Sequence, residues 1–159
     1  MKLLQALWPS TSPEYKARQR YAELVDVARA PMLFEELGIP DTLDGRFESV
    51  ILHLLIEEKT LERQGGDHSE WLRLLHESFF EDMDRSLREG GVGDTGISKR
   101  VQRMASGFYG RLASYKDSWD NESEFTQALT RNVYATCETD IAADIPPKLA
   151  AYIRSAVDG

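Results

Sequence analysis

Between Phe79 and Arg111 two segments of helical apolar spacing meet at a glycine-rich elbow, FFEDMDRSLREGGVGDTGISKRVQRMASGFYGR, with charges of both signs crowded around it. Each segment has one apolar stripe to cover, so a chain with such a joint folds by laying helices against one another. On the N-terminal side Trp71, Leu72, Leu75, Phe79, Met83 and Leu87 recur at helical intervals and predict a helix from Ser69 to Arg88. Glycines at 90, 91, 93 and 96 stop it. On the C-terminal side Val101, Met104, Ala105, Phe108, Leu112 and Tyr115 form the stripe of a helix that Ser98 is placed to cap.

The same spacing runs through the rest of the chain. Pro13 opens a helix expected to reach Ala30, with Tyr21, Leu24, Val25 and Ala28 on its apolar face. Ala30-Pro31 interrupts it, and a short helix bearing Met32, Leu33 and Leu37 ends at Gly38. After the loop Ile39-Pro40-Asp41-Thr42, Asp44 is expected to cap a helix reaching Gln64. Its positions Phe47, Val50, Ile51, Leu54, Leu55 and Leu61, widened by Leu52 and Ile56, predict a central helix covered on more than one side. Gly65-Gly66-Asp67 reads as a turn, Asp120-Asn121 starts a helix with Phe125, Leu129, Val133 and Tyr134, and Ile145-Pro146-Pro147 opens a last one with Leu149, Tyr152 and Ile153. There is no alternating strand pattern of useful length and no internal repeat. The expectation is an all-α, single-domain bundle of about six or seven helices over residues 13–159, preceded by an N-terminal arm at 1–12.

Charge and cysteine use narrow the function classes. A formal net charge of -8 over 159 residues argues against bulk attraction to nucleic acid or to an anionic membrane, so no nucleic-acid partner is assigned. Cys137 is the only cysteine, which rules out an internal disulfide and fits a reducing compartment. The longest apolar run, Val50 to Ile56, is interrupted by His53 and is far shorter than the roughly 20 residues needed to cross a bilayer. Leu3, Leu4, Leu7 and Trp8 would share one helical face, which either caps the core or makes a loose membrane contact.

Catalytic and metal signatures fail one by one. No Glu has a His three residues later, so the di-iron bundle pattern is missing. His53, within an apolar run, is expected to be a core histidine with a hydrogen-bond partner. Read as a calcium loop, Asp82-Met83-Asp84 puts Leu87 where the central glycine belongs and Gly93 where the closing glutamate belongs. The glycines of GGVGDTG follow no strand and do not form a dinucleotide fingerprint. Catalytic residues, metal ligands and cofactors are therefore all assigned as none.

What remains is a surface. Lys99, Arg100, Arg103 and Arg111 project from one helix; Glu81, Asp82, Asp84 and Glu89 lie on the preceding one. They either pin two antiparallel helices as ion pairs or form a rim for a partner. Phe108-Tyr109-Gly110-Arg111 exceeds what pinning requires, because aromatics and arginine are the usual hot-spot residues of an interface. A glycine within a helix costs about 1 kcal/mol against alanine, and it would let another helix approach closely.

Several of these segments carry a family resemblance: Ala28-Arg29-x-Pro31, IPDTLDGRFE with Leu52-His53, FFEDMDRSLREGGVGD, KRVQRMASGFYGR and ALTRNVY. In that order they resemble the ubiquinol–cytochrome c chaperone family, assembly factors for the respiratory cytochrome bc complex. The resemblance spans most of the chain, from about Tyr15 to Tyr152. It implies a protein that is not an enzyme and that binds newly made cytochrome b, aided by a small partner protein, near the ribosome. It implies a cytoplasmic location with peripheral contact at the inner membrane.

By the same resemblance Asp82, Asp84, Arg85, Arg88, Glu89, Asp94, Arg100, Phe108, Tyr109 and Arg111 belong to a partner-binding surface, with Lys99 beside them. Asp41, Thr42, Asp44, Gly45, Arg46 and Gly93 are its structural or rim positions. Gly90 departs from the pattern, standing where a bulkier residue, often methionine, is expected. Without a long N-terminal extension bearing a transit peptide, the chain resembles the compact bacterial members. The alternative is a small helical enzyme or ligand-binding protein with an acidic pocket around Asp82 and Asp84.

Overall fold

Prolines and glycines decide where helices stop in this chain. The computed structural model describes residues 11–91 and 93–159, with backbone alone at 94, 95, 97 and 98. Leu3, Leu4, Leu7 and Trp8 of the arm, and the side chain of Asp94, thus lie outside the described residues. Among those described there are seven helices and no strand: α1 (Pro13–Ala28), α2 (Pro31–Glu35), α3 (Leu43–Gln64), α4 (Ser69–Glu89), α5 (Asp94–Ser118), α6 (Glu122–Val133) and α7 (Ile145–Asp158). The all-α bundle is the fold found.

Local chemistry explains the boundaries. The Ser12 side chain accepts from the Tyr15 N–H at 3.1 Å and Pro13 fills the first turn, which starts α1. Thr42, not Asp44, caps α3: its hydroxyl oxygen accepts from the Gly45 N–H at 3.1 Å. Asp44 falls inside the first turn, where its charge still favours the positive helix end. Asn121 caps α6 by accepting from the Glu124 N–H at 3.1 Å. At the elbow Gly91 has φ +82°, a conformation that side-chain-bearing residues rarely adopt. Helix α5 starts at Asp94 with Gly93 as its cap position, earlier than the Ser98 start expected, because Gly96 is tolerated inside the first turns.

Helix α3 is central. It packs against α1, α4, α5, α6 and α7, and every residue from Val50 to Leu55 is buried. Each fully buried leucine there, such as Leu52, Leu54 and Leu55, contributes about 1.5–3 kcal/mol. Two of the polar groups carried inward, Ser49 and His53, are satisfied. The Ser49 hydroxyl donates to the Ala28 carbonyl at 2.6 Å, tying α3 to the end of α1. His53 Nδ1 donates to the Ser49 carbonyl at 2.7 Å, which leaves Nε2 to accept from the Tyr152 hydroxyl at 2.8 Å. Burial lowers the His53 pKa, in keeping with that neutral tautomer, so His53 is the core histidine expected.

Two further contacts set the shape near the site. The buried Tyr134 hydroxyl donates to the Leu37 carbonyl at 2.7 Å, tying the end of α6 to the connection before α3. On the same side the Pro40 carbonyl oxygen lies where a Cβ on Gly45 would come within 1.8 Å of it. Only glycine fits there.

Candidate functional site

Helix α5 carries most of the expected surface, and its packing sorts the residues. Phe108 has no exposed surface; its ring sits 4.9 Å from Phe79, 5.3 Å from Phe80 and 4.9 Å from His76. The expectation that Phe108 meets a partner is corrected here. It is a stripe position between Met104 and Leu112, and its ring belongs to the core. Tyr109, one residue on and so turned by about 100°, is 54% exposed and rests against Phe80 and His76. These three rings form a ridge along the seam of α4 and α5.

The two glycines of this part of α5 differ. A Cβ on Gly107 would stand 2.6 Å from Arg111 Nη1, so Gly107 lets that side chain lie along the helix. Gly110 meets nothing within 4 Å and leaves an open strip beside Tyr109.

The charges do not pair as a clasp between α4 and α5 among the described residues. Asp82 accepts from the Tyr21 hydroxyl at 2.6 Å and from Arg85 at 2.9 Å; Asp84 lies 2.9 Å from Arg88. Glu81 meets Arg18 of α1 at 2.9 Å. The bases of α5 turn instead to α3: Arg100 lies 4.0 Å from Asp44, Arg111 pairs with Glu48, and Lys116 pairs with Glu58 at 2.8 Å. Residue numbers rise together in the three pairs, so α3 and α5 run parallel. Glu89 and Lys99 are exposed. Exposed pairs of this kind contribute about 0–1 kcal/mol each. The Glu48 pair is different, because its carboxylate side chain is only 8% exposed.

An open cleft of about 480 Å³ lies between α3, α5 and α6, touching α4. Phe47, Ile51, Phe79 and Met83 give it an apolar floor, with Met104 and Val133 beside them. Arg100 and Arg103 stand at the mouth, and the Glu48–Arg111 pair lies at the base. One Glu48 oxygen meets Arg111; the other, Oε2, is buried with no hydrogen-bond partner. Burial pushes the Glu48 carboxyl up to about 7, against the opposing pull of Arg111 and with a small further rise from Asp44. The Tyr115 hydroxyl, one turn along α5 from Arg111, is likewise buried, and burial raises its pKa.

The rim positions divide. Asp44 and Gly45 line this cleft. Asp41 and Arg46 pair with each other at 3.0 Å and line a second cleft of about 500 Å³ with Arg29, Pro31, Phe34 and Glu35. Asp82 and Asp84 line neither; both Asp82 oxygens are engaged, by Tyr21 and Arg85, and Asp84 Oδ2 meets Arg88. No group of three His, Cys, Asp or Glu able to hold a metal occurs among the described residues. Glu48 was not among the expected site residues. Its signal was an acid at helical spacing with Leu52 and Leu55, inside an apolar face.

A family model described as ubiquinol-cytochrome C chaperone matches residues 35–159. Among solved structures, the crystal structure of the Cbp3 homolog from Brucella abortus superposes with a TM-score of 0.77 at 29% sequence identity. The match covers 98% of this chain and 86% of that one. No curated protein matches the chain.

Proposed function

The chain belongs to the ubiquinol-cytochrome C chaperone family, and on that premise we propose that it holds an apolar segment of cytochrome b, or of a related subunit, during assembly of the cytochrome bc complex. The observation that carries this reading is the cleft beside α5: open, apolar along its floor and charged at its mouth. Helix-in-groove recognition uses such a surface, with the floor covering a client's apolar face and the mouth setting its register. Tyr109 and the open strip at Gly110 extend the surface outward. Nothing in this role makes or breaks a covalent bond.

No helix among the described residues is long and apolar enough to cross a membrane. In this reading the protein meets the inner membrane peripherally, through Leu3, Leu4, Leu7 and Trp8, while a small partner protein and the ribosome bring the client to it. Cytochrome b should co-purify with the tagged full chain. Deleting the gene should lower the amount of assembled bc complex, and undiminished assembly would refute the reading. Removing the first eight residues should abolish binding to liposomes without abolishing client capture.

A further inference from the structure

The arginines of α5 bear on what the cleft recognises. Many arginines of the fold lie on carboxylates, as Arg20 does on Glu57 at 2.7 Å, Arg63 on Asp158 at 2.7 Å and Arg85 on Asp82 at 2.9 Å, although Arg29, Arg131 and Arg154 have no ion pair among the described residues. At the cleft mouth that pattern breaks. Arg100 stands 4.0 Å from Asp44, the outer limit of an ion pair, and Arg103 has no ion-pair partner among the described residues. A chain with a net charge of -8 has carboxylates to spare, yet beside this apolar floor Arg100 is held only loosely by Asp44 and Arg103 has no ion pair among the described residues. Three residues apart on one helix, they face the same side and suit a two-point clamp on a carboxylate.

A second observation comes from the base of the same cleft. Glu48 Oε2 is buried and unpartnered, and the side chain lines the cleft. Native proteins rarely leave a buried acceptor without a donor. The missing donor is expected from whatever enters. The occupant thus needs an apolar body, an acid near the mouth and an N–H or O–H group that reaches inward. A stretch of polypeptide supplies all three.

We propose that the cleft between α3, α5 and α6 binds an apolar polypeptide segment carrying an acidic residue, whose carboxylate docks between Arg100 and Arg103. This rests on the reading of the chain as a holder of a protein client, and it adds what the client must present.

The test places a photo-crosslinking residue at Met104, and separately at Tyr109, in the full chain in cells, and sequences the adducts by mass spectrometry. The expected Met104 adduct is an apolar segment of a bc-complex subunit with an Asp or Glu within one or two helical turns. The Arg100→Glu, Arg103→Glu double variant should lower its yield by about ten-fold with an unchanged melting temperature, while Arg103→Lys should retain most of it. The proposal falls if Met104 captures a lipid or small acid, if the captured segment lacks an acidic residue, or if charge reversal leaves the yield unchanged. It also falls, with the chaperone reading intact, if Tyr109 captures a bc-complex subunit and Met104 does not. Capture of no such subunit from either position removes both.

Discussion

The Tyr21 hydroxyl donates to Asp82 Oδ2 at 2.6 Å, and this bond fastens α4 to α1. Arg85 takes the other Asp82 oxygen at 2.9 Å, so the carboxylate is committed to the fold. Glu81 and Asp82 of α4 therefore fasten it to α1, and they line neither of the two clefts described above. Burial first, and then the hydrogen bond to Asp82, raise the Tyr21 pKa far above the ordinary phenol value, so the hydroxyl keeps its proton and keeps donating.

Replacing Tyr21 by Phe removes a hydrogen bond to a charged group and should lower stability by about 1.5–3 kcal/mol in urea unfolding. Asp82→Asn should cost less, since the amide oxygen still accepts from the hydroxyl. Equal stability of wild type and Tyr21→Phe would show that the bond does not fasten the helices.

Adjacent residues of α5 should respond in opposite ways. Phe108→Ala empties a fully buried aromatic site and should cost about 3–5 kcal/mol. Tyr109→Ala, at an exposed position, should stay within about 0.5 kcal/mol of wild type while reducing client capture. Paired melting curves and pull-downs read both effects.

Glycines give a similar contrast. A methyl on Gly45 would overlap the Pro40 carbonyl, so Gly45→Ala should destabilise by about 3 kcal/mol. A methyl on Gly110 meets nothing, and Gly110→Ala should stabilise by about 0.5–1 kcal/mol. If Gly110 is kept for close approach of a client, the more stable variant should also bind that client less well.

Glu48 predicts a pH dependence. Its folded pKa, about 7, lies above the ordinary glutamate value of 4.5. Between those values the native chain holds a proton that the unfolded chain has released, so stability falls as pH rises through the interval and is level above it. The full effect is about 3 kcal/mol. His53 and His76 act in the opposite sense, because burial lowers both pKa values and acid favours the unfolded chain that can protonate them. The difference between wild type and Glu48→Gln isolates the carboxyl. The variant should gain on wild type by about 3 kcal/mol from pH 4.5 to 7.5, and a flat difference curve would refute the shift.

Much of this fold is legible in the sequence because its punctuation is explicit. Pro13, Pro31 and Pro146 open helices, while Gly38 and Gly65 follow their ends at positive φ. Burial of α3 from Phe47 to Leu55 followed from the breadth of its apolar face. Errors arose where two chemically able residues competed, as at Thr42 against Asp44, or Gly93 against Ser98. Phe108 lies inside while Tyr109 and Gly110 beside it in FYGR are exposed, and its own place in the apolar stripe already pointed inward. Which helix the α5 bases face depends on the crossing of three neighbours, and no local pattern encodes that.

The Pro40 carbonyl pressed against Gly45 has one more consequence. It braces the opening turn of α3, so one side of the recess stands ready before any visitor arrives. Most of the entropic loss of docking then falls on the incoming chain and little on its host.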